Sequence, residues 1–81
     1  MTRYYFDVRE GQELALDEEG LELNSMQAAQ LEAAKSLADI VRDAVHQCPP
    51  KHKHHMAIEV RDENGPVMQV KFTFKVEKTL Q

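Results

Sequence analysis

The hydrophobic period of this chain changes twice, and that restricts its fold more than any other feature. Tyr4, Phe6 and Val8 alternate with Arg3, Tyr5, Asp7 and Arg9, the period of two that a half-buried strand requires. Glu10-Gly11 supplies a turn, Leu14 and Leu16 continue the alternation, and Asp17-Glu18-Glu19-Gly20 supplies another turn, since glycine reaches positive φ without steric cost. Leu21 and Leu23 around Glu22 suggest a short third strand or an extended lead-in. From Met26 the apolar residues recur three and four apart through Ala29, Ala33, Leu37, Ile40, Val41 and Ala44, one face of an amphipathic helix. Period two then returns in Met56, Ile58 and Val60, and again in Met68, Val70, Phe72, Phe74 and Val76.

The helix is predicted over residues 25–46. Asn24 or Ser25 caps its start, with Gln27 completing a variant capping box on Asn24, and Pro49-Pro50 ends it. Its alanine-rich inner face favours close contact with a sheet. Lys51-His52-Lys53-His54-His55 reads as a solvated loop, and Asp62-Glu63-Asn64-Gly65-Pro66 as a hairpin turn with Asn-Gly at its centre. The tail 78–81 is expected to fray.

Every predicted strand is apolar on one side only, so one helix suffices to cover one sheet. The expectation is a single α+β domain over residues 1–81 in two layers. An antiparallel or mixed sheet of four to five strands carries one long helix on one face, in the order ββ(β)-α-ββ. Phe6, Val8, Leu37, Val41, Ile58, Val60, Val70, Phe72 and Phe74 are expected to be buried together between the layers.

Length and charge narrow the function. A chain of 81 residues buries only about 60% of its unfolded surface, so its stability is marginal unless something adds to it. Cys48 is the one cysteine, which excludes an internal disulfide and fits a reducing compartment. Fourteen acidic against ten basic residues give a net charge of −4, which argues against a general nucleic-acid binder and against docking on anionic membranes. The start has no apolar stretch of signal-peptide length, and no window reaches transmembrane length. A cytoplasmic protein is expected.

Arg3-Tyr4-Tyr5-Phe6-Asp7, the acid-plus-glycine turn Glu10-Gly11, the turn Asp17 to Gly20, the alanine-rich helix and the strand Ile58-Glu59-Val60-Arg61-Asp62 are together specific. In these the chain resembles a domain-of-unknown-function family of short alphaproteobacterial proteins, over nearly its whole length. The resemblance implies a small domain and brings no activity, cofactor or catalytic residue with it. A looser, fold-level similarity is to antitoxins with a small ββαβ domain resembling part of a ribonuclease H fold.

Candidate chemistry is sparse. His46, Cys48, His52, His54 and His55 are soft and borderline ligands within ten positions, with His52, His54 and His55 as the metal candidates, but they match no recognised zinc spacing. Asp17, Glu18, Glu19 and Glu22 cluster acid around a turn without a partner that would make them an acid–base pair. Asp62-Glu63-Asn64-Gly65 lacks the remaining ligands of a calcium loop. Cys48 sits at the end of a helix dipole that disfavours a thiolate. Neither an enzyme nor a cofactor is expected. The open sheet face is the better candidate, with Arg3, Tyr5, Arg9, Arg61, Lys71 and Lys75 as a possible interaction surface. A basic face carrying an aromatic is how some RNA binders work, though their stacking platform needs two or three aromatics and Tyr5 stands alone. The first expectation is therefore a non-enzymatic interaction domain acting through protein contacts, a homodimer. The alternative is an antitoxin-like or RNA-contacting regulator, and a histidine metal site is the minor one.

Overall fold

The computed structural model describes residues 1–47 and 53–77. Cys48, the Pro49-Pro50 helix stop, Lys51, His52 and the tail 78–81 lie outside them. The elements are β1 (Thr2–Glu10), β2 (Glu13–Ala15), β3 (Leu21–Leu23), α1 (Met26–Gln47), β4 (Lys53–Asp62) and β5 (Gly65–Lys75). The five strands form one antiparallel sheet in the order β2-β1-β4-β5, with β3 also pairing β1, and α1 packs against it. This is the two-layer α+β arrangement that the one-sided strands demand.

β2 pairs the C-terminal end of β1 (Val8 opposite Ala15) and β3 its N-terminal end (Tyr4 opposite Leu21). Residues 16–20 therefore span what β1 covers with residues 5–7, so the chain must bulge there. The two hairpin turns are tight. Glu10 faces Glu13 across Gly11 (φ 63°), and Asp62 faces Gly65 across Glu63 and Asn64. The loop of the second hairpin is thus Glu63-Asn64 rather than Asn64-Gly65, and Asn64 N–H donates to the Asp62 carboxylate at 2.8 Å.

At the helix start, Ser25 Oγ accepts the Ala28 N–H at 3.1 Å and Ser25 O accepts from Ala29. Ser25 is the cap, so Asn24 and Gln27 form no capping box. The serine oxygen meets an otherwise unpartnered N–H of the first turn, a contact worth about 1 kcal/mol.

Ala29, Ala33 and Leu37 from α1 bury against Tyr4, Met56, Ile58 and Val60. Phe6, Val8, Val41, Val70 and Phe74 pack partly buried around them. The predicted core is corrected at Phe72, which is 42% exposed. Phe72 faces Met56 across the ladder and so lies on the helix side, as its alternation requires. It is uncovered because it lies on the outermost strand, where the helix no longer shields it. Leu14 is exposed because the register sets it opposite Arg9, on the face away from the helix, while Ala15 opposite Val8 takes the helix side; Leu16 lies beyond the end of β2 and is exposed too.

Lys53, His54 and His55 are strand, not loop. They pair Lys75, Phe74 and Thr73, because the long β5 offers partners that extend β4 beyond its apolar stripe. The His54 ring stacks on Phe74 with centroids 5.1 Å apart. His55 Nδ1 is 3.1 Å from Thr73 Oγ1.

Candidate functional site

Alternation sends Arg3, Tyr5, Asp7 and Arg9 to the face away from the helix, and the register sets Tyr5 opposite Arg61, Asp7 opposite Glu59 and Arg9 opposite Ala57. Opposite charges thus sit on diagonals, within reach of long side chains. Arg61 Nε donates to Asp7 Oδ2 at 2.9 Å, and Arg9 Nε donates to Glu59 Oε2, which also accepts from Gln69 Nε2 at 3.2 Å. The Arg9–Glu59 hydrogen bond and ion pair hold the Arg9 guanidinium above its ordinary value.

One part of this face is closed by the bulge. The Asp17 N–H donates to Asp7 Oδ1 at 2.9 Å, and Arg61 Nη2 donates to Asp17 O at 2.9 Å. Asp17 in turn accepts the N–H groups of Phe6, Glu19 and Gly20, each at 3.1 Å. Burial pushes the Asp17 carboxyl up, but these N–H bonds and the Arg61 charge outweigh it and hold it below its ordinary 3.8. Arg3 Nη1 donates to Glu19 O at 2.6 Å, and Arg61 lies over the Tyr5 ring at 4.4 Å. Gly20 has φ 72°, and a Cβ there would come within 2.9 Å of Arg3 Cγ and Tyr5 Cε1. Only glycine lets the turn lie this close.

Asp7 is consequently 5% exposed. Local alternation counts it with the wet residues. Its burial comes from partners ten and fifty-four positions away, which no local pattern reports. The spacing Asp17-x-x-Gly20 was the legible signal, since an aspartate three residues before a positive-φ glycine is a self-bonding turn.

The six residues predicted as an interaction face divide. Arg3, Tyr5 and Arg61 are directed to the 16–20 turn, and Arg9 to Glu59. Lys75 pairs Glu77 at 3.1 Å. Lys71 stands on β5 opposite the buried Ala57. As strand neighbours, His54 and His55 project to opposite faces and do not converge. Among the described residues no three His, Cys, Asp or Glu side chains gather where they could hold a metal.

The other notable surface is β5. Its eleven residues form an edge of the sheet. Beside it runs a mostly apolar groove lined by Leu37, Ala38, Val41, Val70 and Phe72, with Arg42 and Lys71 also in its lining, and the Phe72 and Phe74 rings lie 5.8 Å apart.

Fold and site together define a small two-layer α+β domain whose Asp7–Asp17–Arg61 cluster pins its own turn. The chain belongs to the family described as a domain of unknown function, DUF6894, whose family model matches residues 3–73. That match includes Asp7, Asp17, Gly20 and Arg61. Neither a curated protein nor a solved structure matches the chain. Among the described residues no helix is long and apolar enough to cross a membrane.

Proposed function

We propose that this is a non-enzymatic interaction domain of the cytoplasm that acts through protein contacts, self-association included. The observation that carries this reading is the position of β5: among the described residues it is a long strand with one paired neighbour and a mostly apolar groove at its side. An unpaired strand edge is a template for another strand, with backbone hydrogen bonds giving affinity and side-chain pockets giving specificity. The charged face supports the same reading, because Asp7, Asp17 and Arg61 are engaged with the backbone and with one another. The RNA-contacting alternative has less to support it, since Arg61 already lies on the Tyr5 ring.

The test is capture of partners from the native host by the tagged protein and by its Lys71→Pro variant. Proline removes one edge N–H and blocks a docking strand. Loss of the captured proteins on substitution is the expected result. An identical captured set from both proteins would overturn the reading.

A further inference from the structure

The sheet has two margins, and they differ. The β2–β3 margin consists of two three-residue strands separated by the bulge of residues 16–20, which is how natural sheets blunt an edge. The β5 margin runs through eleven residues, about 35 Å at strand rise.

Which β5 groups face outward follows from Asp17. Phe6 gives its N–H to Asp17, so at Phe6 the hydrogen-bonding groups of β1 point away from β4. Phe6 stands opposite Val60, whose groups therefore point to β5. Antiparallel ladders alternate, so Val60, Ile58 and Met56 bond Met68, Val70 and Phe72, their partners in the register. Gln69, Lys71, Thr73 and Lys75 are left with N–H and C=O directed outward. Pro66, which has no N–H, falls opposite Arg61 in the non-bonded phase. Val67 is the extra residue at the irregularity beside Val60, so the regular edge begins after it.

A second copy can pair with this edge antiparallel about a two-fold axis, and charge and regularity select one register. An axis at Lys71 sets Lys71 against its own copy, and an axis at Thr73 sets Lys71 against Lys75. Like charges directly opposite destabilise a pair. Axes at Gln69 or Val70 run the pairing through Val67 and Pro66, where the edge is irregular, and an axis at Phe74 carries it past Lys75, the end of β5. An axis at Phe72 uses residues 69–75 alone. It sets Lys71 against Thr73 and Gln69 against Lys75 on the open face. On the helix face it sets Phe72 against Phe72 and Val70 against Phe74, which joins the two apolar grooves.

We infer that the occupant of the β5 edge is a second copy of this chain, paired antiparallel with the two-fold axis at Phe72. This inference rests on the edge-docking reading above and names its partner. The dimer is a continuous sheet with both helices on one face. It covers the exposed Phe72 and supplies the apolar burial that a chain this short lacks.

The register is read by disulfide capture in a Cys48→Ser background. At the axis, Phe72 forms a non-hydrogen-bonded pair, with Cα atoms about 4.5 Å apart, inside the range a disulfide spans. Phe72→Cys should therefore cross-link under mild oxidation at least about tenfold more than Val70→Cys, whose copies stand four residues out of step. Preferential capture by Val70→Cys would overturn the register. Wild-type protein that sediments as a monomer at high micromolar concentration would overturn the dimer. If the wild type still captured another protein that Lys71→Pro lost, the edge-docking reading would stand while the second copy fell. Equal capture by both would remove both.

Discussion

Replacing Asp7 with alanine removes the one buried carboxylate that ties the bulge to the sheet. Two donors lose their acceptor: the Asp17 N–H and Arg61 Nε, each at 2.9 Å. The bond from the uncharged Asp17 N–H to the carboxylate is worth about 1.5 kcal/mol, the low end for a bond to a charged group, and the one from the Arg61 guanidinium about 1.5–3 kcal/mol. The second figure must be discounted because the Arg61 side chain is 35% exposed and water can replace part of the contact. The sum is about 2–3 kcal/mol. A chain of 81 residues has a stability on the order of 4–12 kcal/mol, so the loss is a substantial share of the whole. Asp7→Asn keeps the shape and one acceptor oxygen and should cost about half as much. Urea unfolding reads the effect. At an m of roughly 1.5 kcal/mol per molar, the midpoint falls by about 1.3–2 M for Asp7→Ala while m is unchanged. A double-mutant cycle with Arg61→Ala should return a coupling above about 1 kcal/mol. A loss below about 0.5 kcal/mol together with zero coupling would refute the argument that this pair pins the turn.

Three further outcomes follow from the packing and the turn. Leu37→Ala should cost about 2–5 kcal/mol, because Leu37 is 6% exposed within the core, whereas Phe72→Ala should cost under about 1.5 kcal/mol in the monomer; paired urea melts at low protein concentration decide. Gly20→Ala should cost more than Gly11→Ala, since both glycines have positive φ but only Gly20 meets neighbours. Left-handed strain of about 1–2 kcal/mol is common to the two, and thermal melts measure the excess. Asp17 titrates lower folded than unfolded, so its contribution is present above pH 3.8 and disappears as the pH falls through the folded value; wild type should lose more stability below about pH 4 than Asp17→Asn, as urea midpoints between pH 6 and 2.5 will show.

Much of the layer structure was legible in the sequence. The alternations at Phe6, Ile58 and Val70 put those residues on the helix side because a pleated strand leaves no other choice. The helix stripe placed Ala29, Ala33 and Leu37 against the sheet for the same kind of reason. What was not legible depended on distance along the chain. Asp7 looks like a wet-face residue until Asp17 and Arg61 converge on it. His54 looks like loop until Phe74, twenty residues on, stacks on its ring. Phe72 has the pattern of a core residue, and its exposure depends on strand order, which alternation does not encode. The β5 edge was conditional for the same reason, since a long final strand invites a partner only if nothing else in the sheet lies beside it.

Residue-resolved amide exchange along β5 tests the central claim most directly, because it reads the very groups said to bind the second copy. The N–H groups of Val70, Phe72 and Phe74 bond β4 and should be protected at any concentration. Those of Gln69, Lys71 and Thr73 face outward, and exchange reports whether an outward N–H has found a partner. The account predicts that they are protected at high protein concentration and become exposed on dilution, in step with dissociation. Fast exchange at these three positions at every concentration, with their neighbours protected throughout, would contradict it.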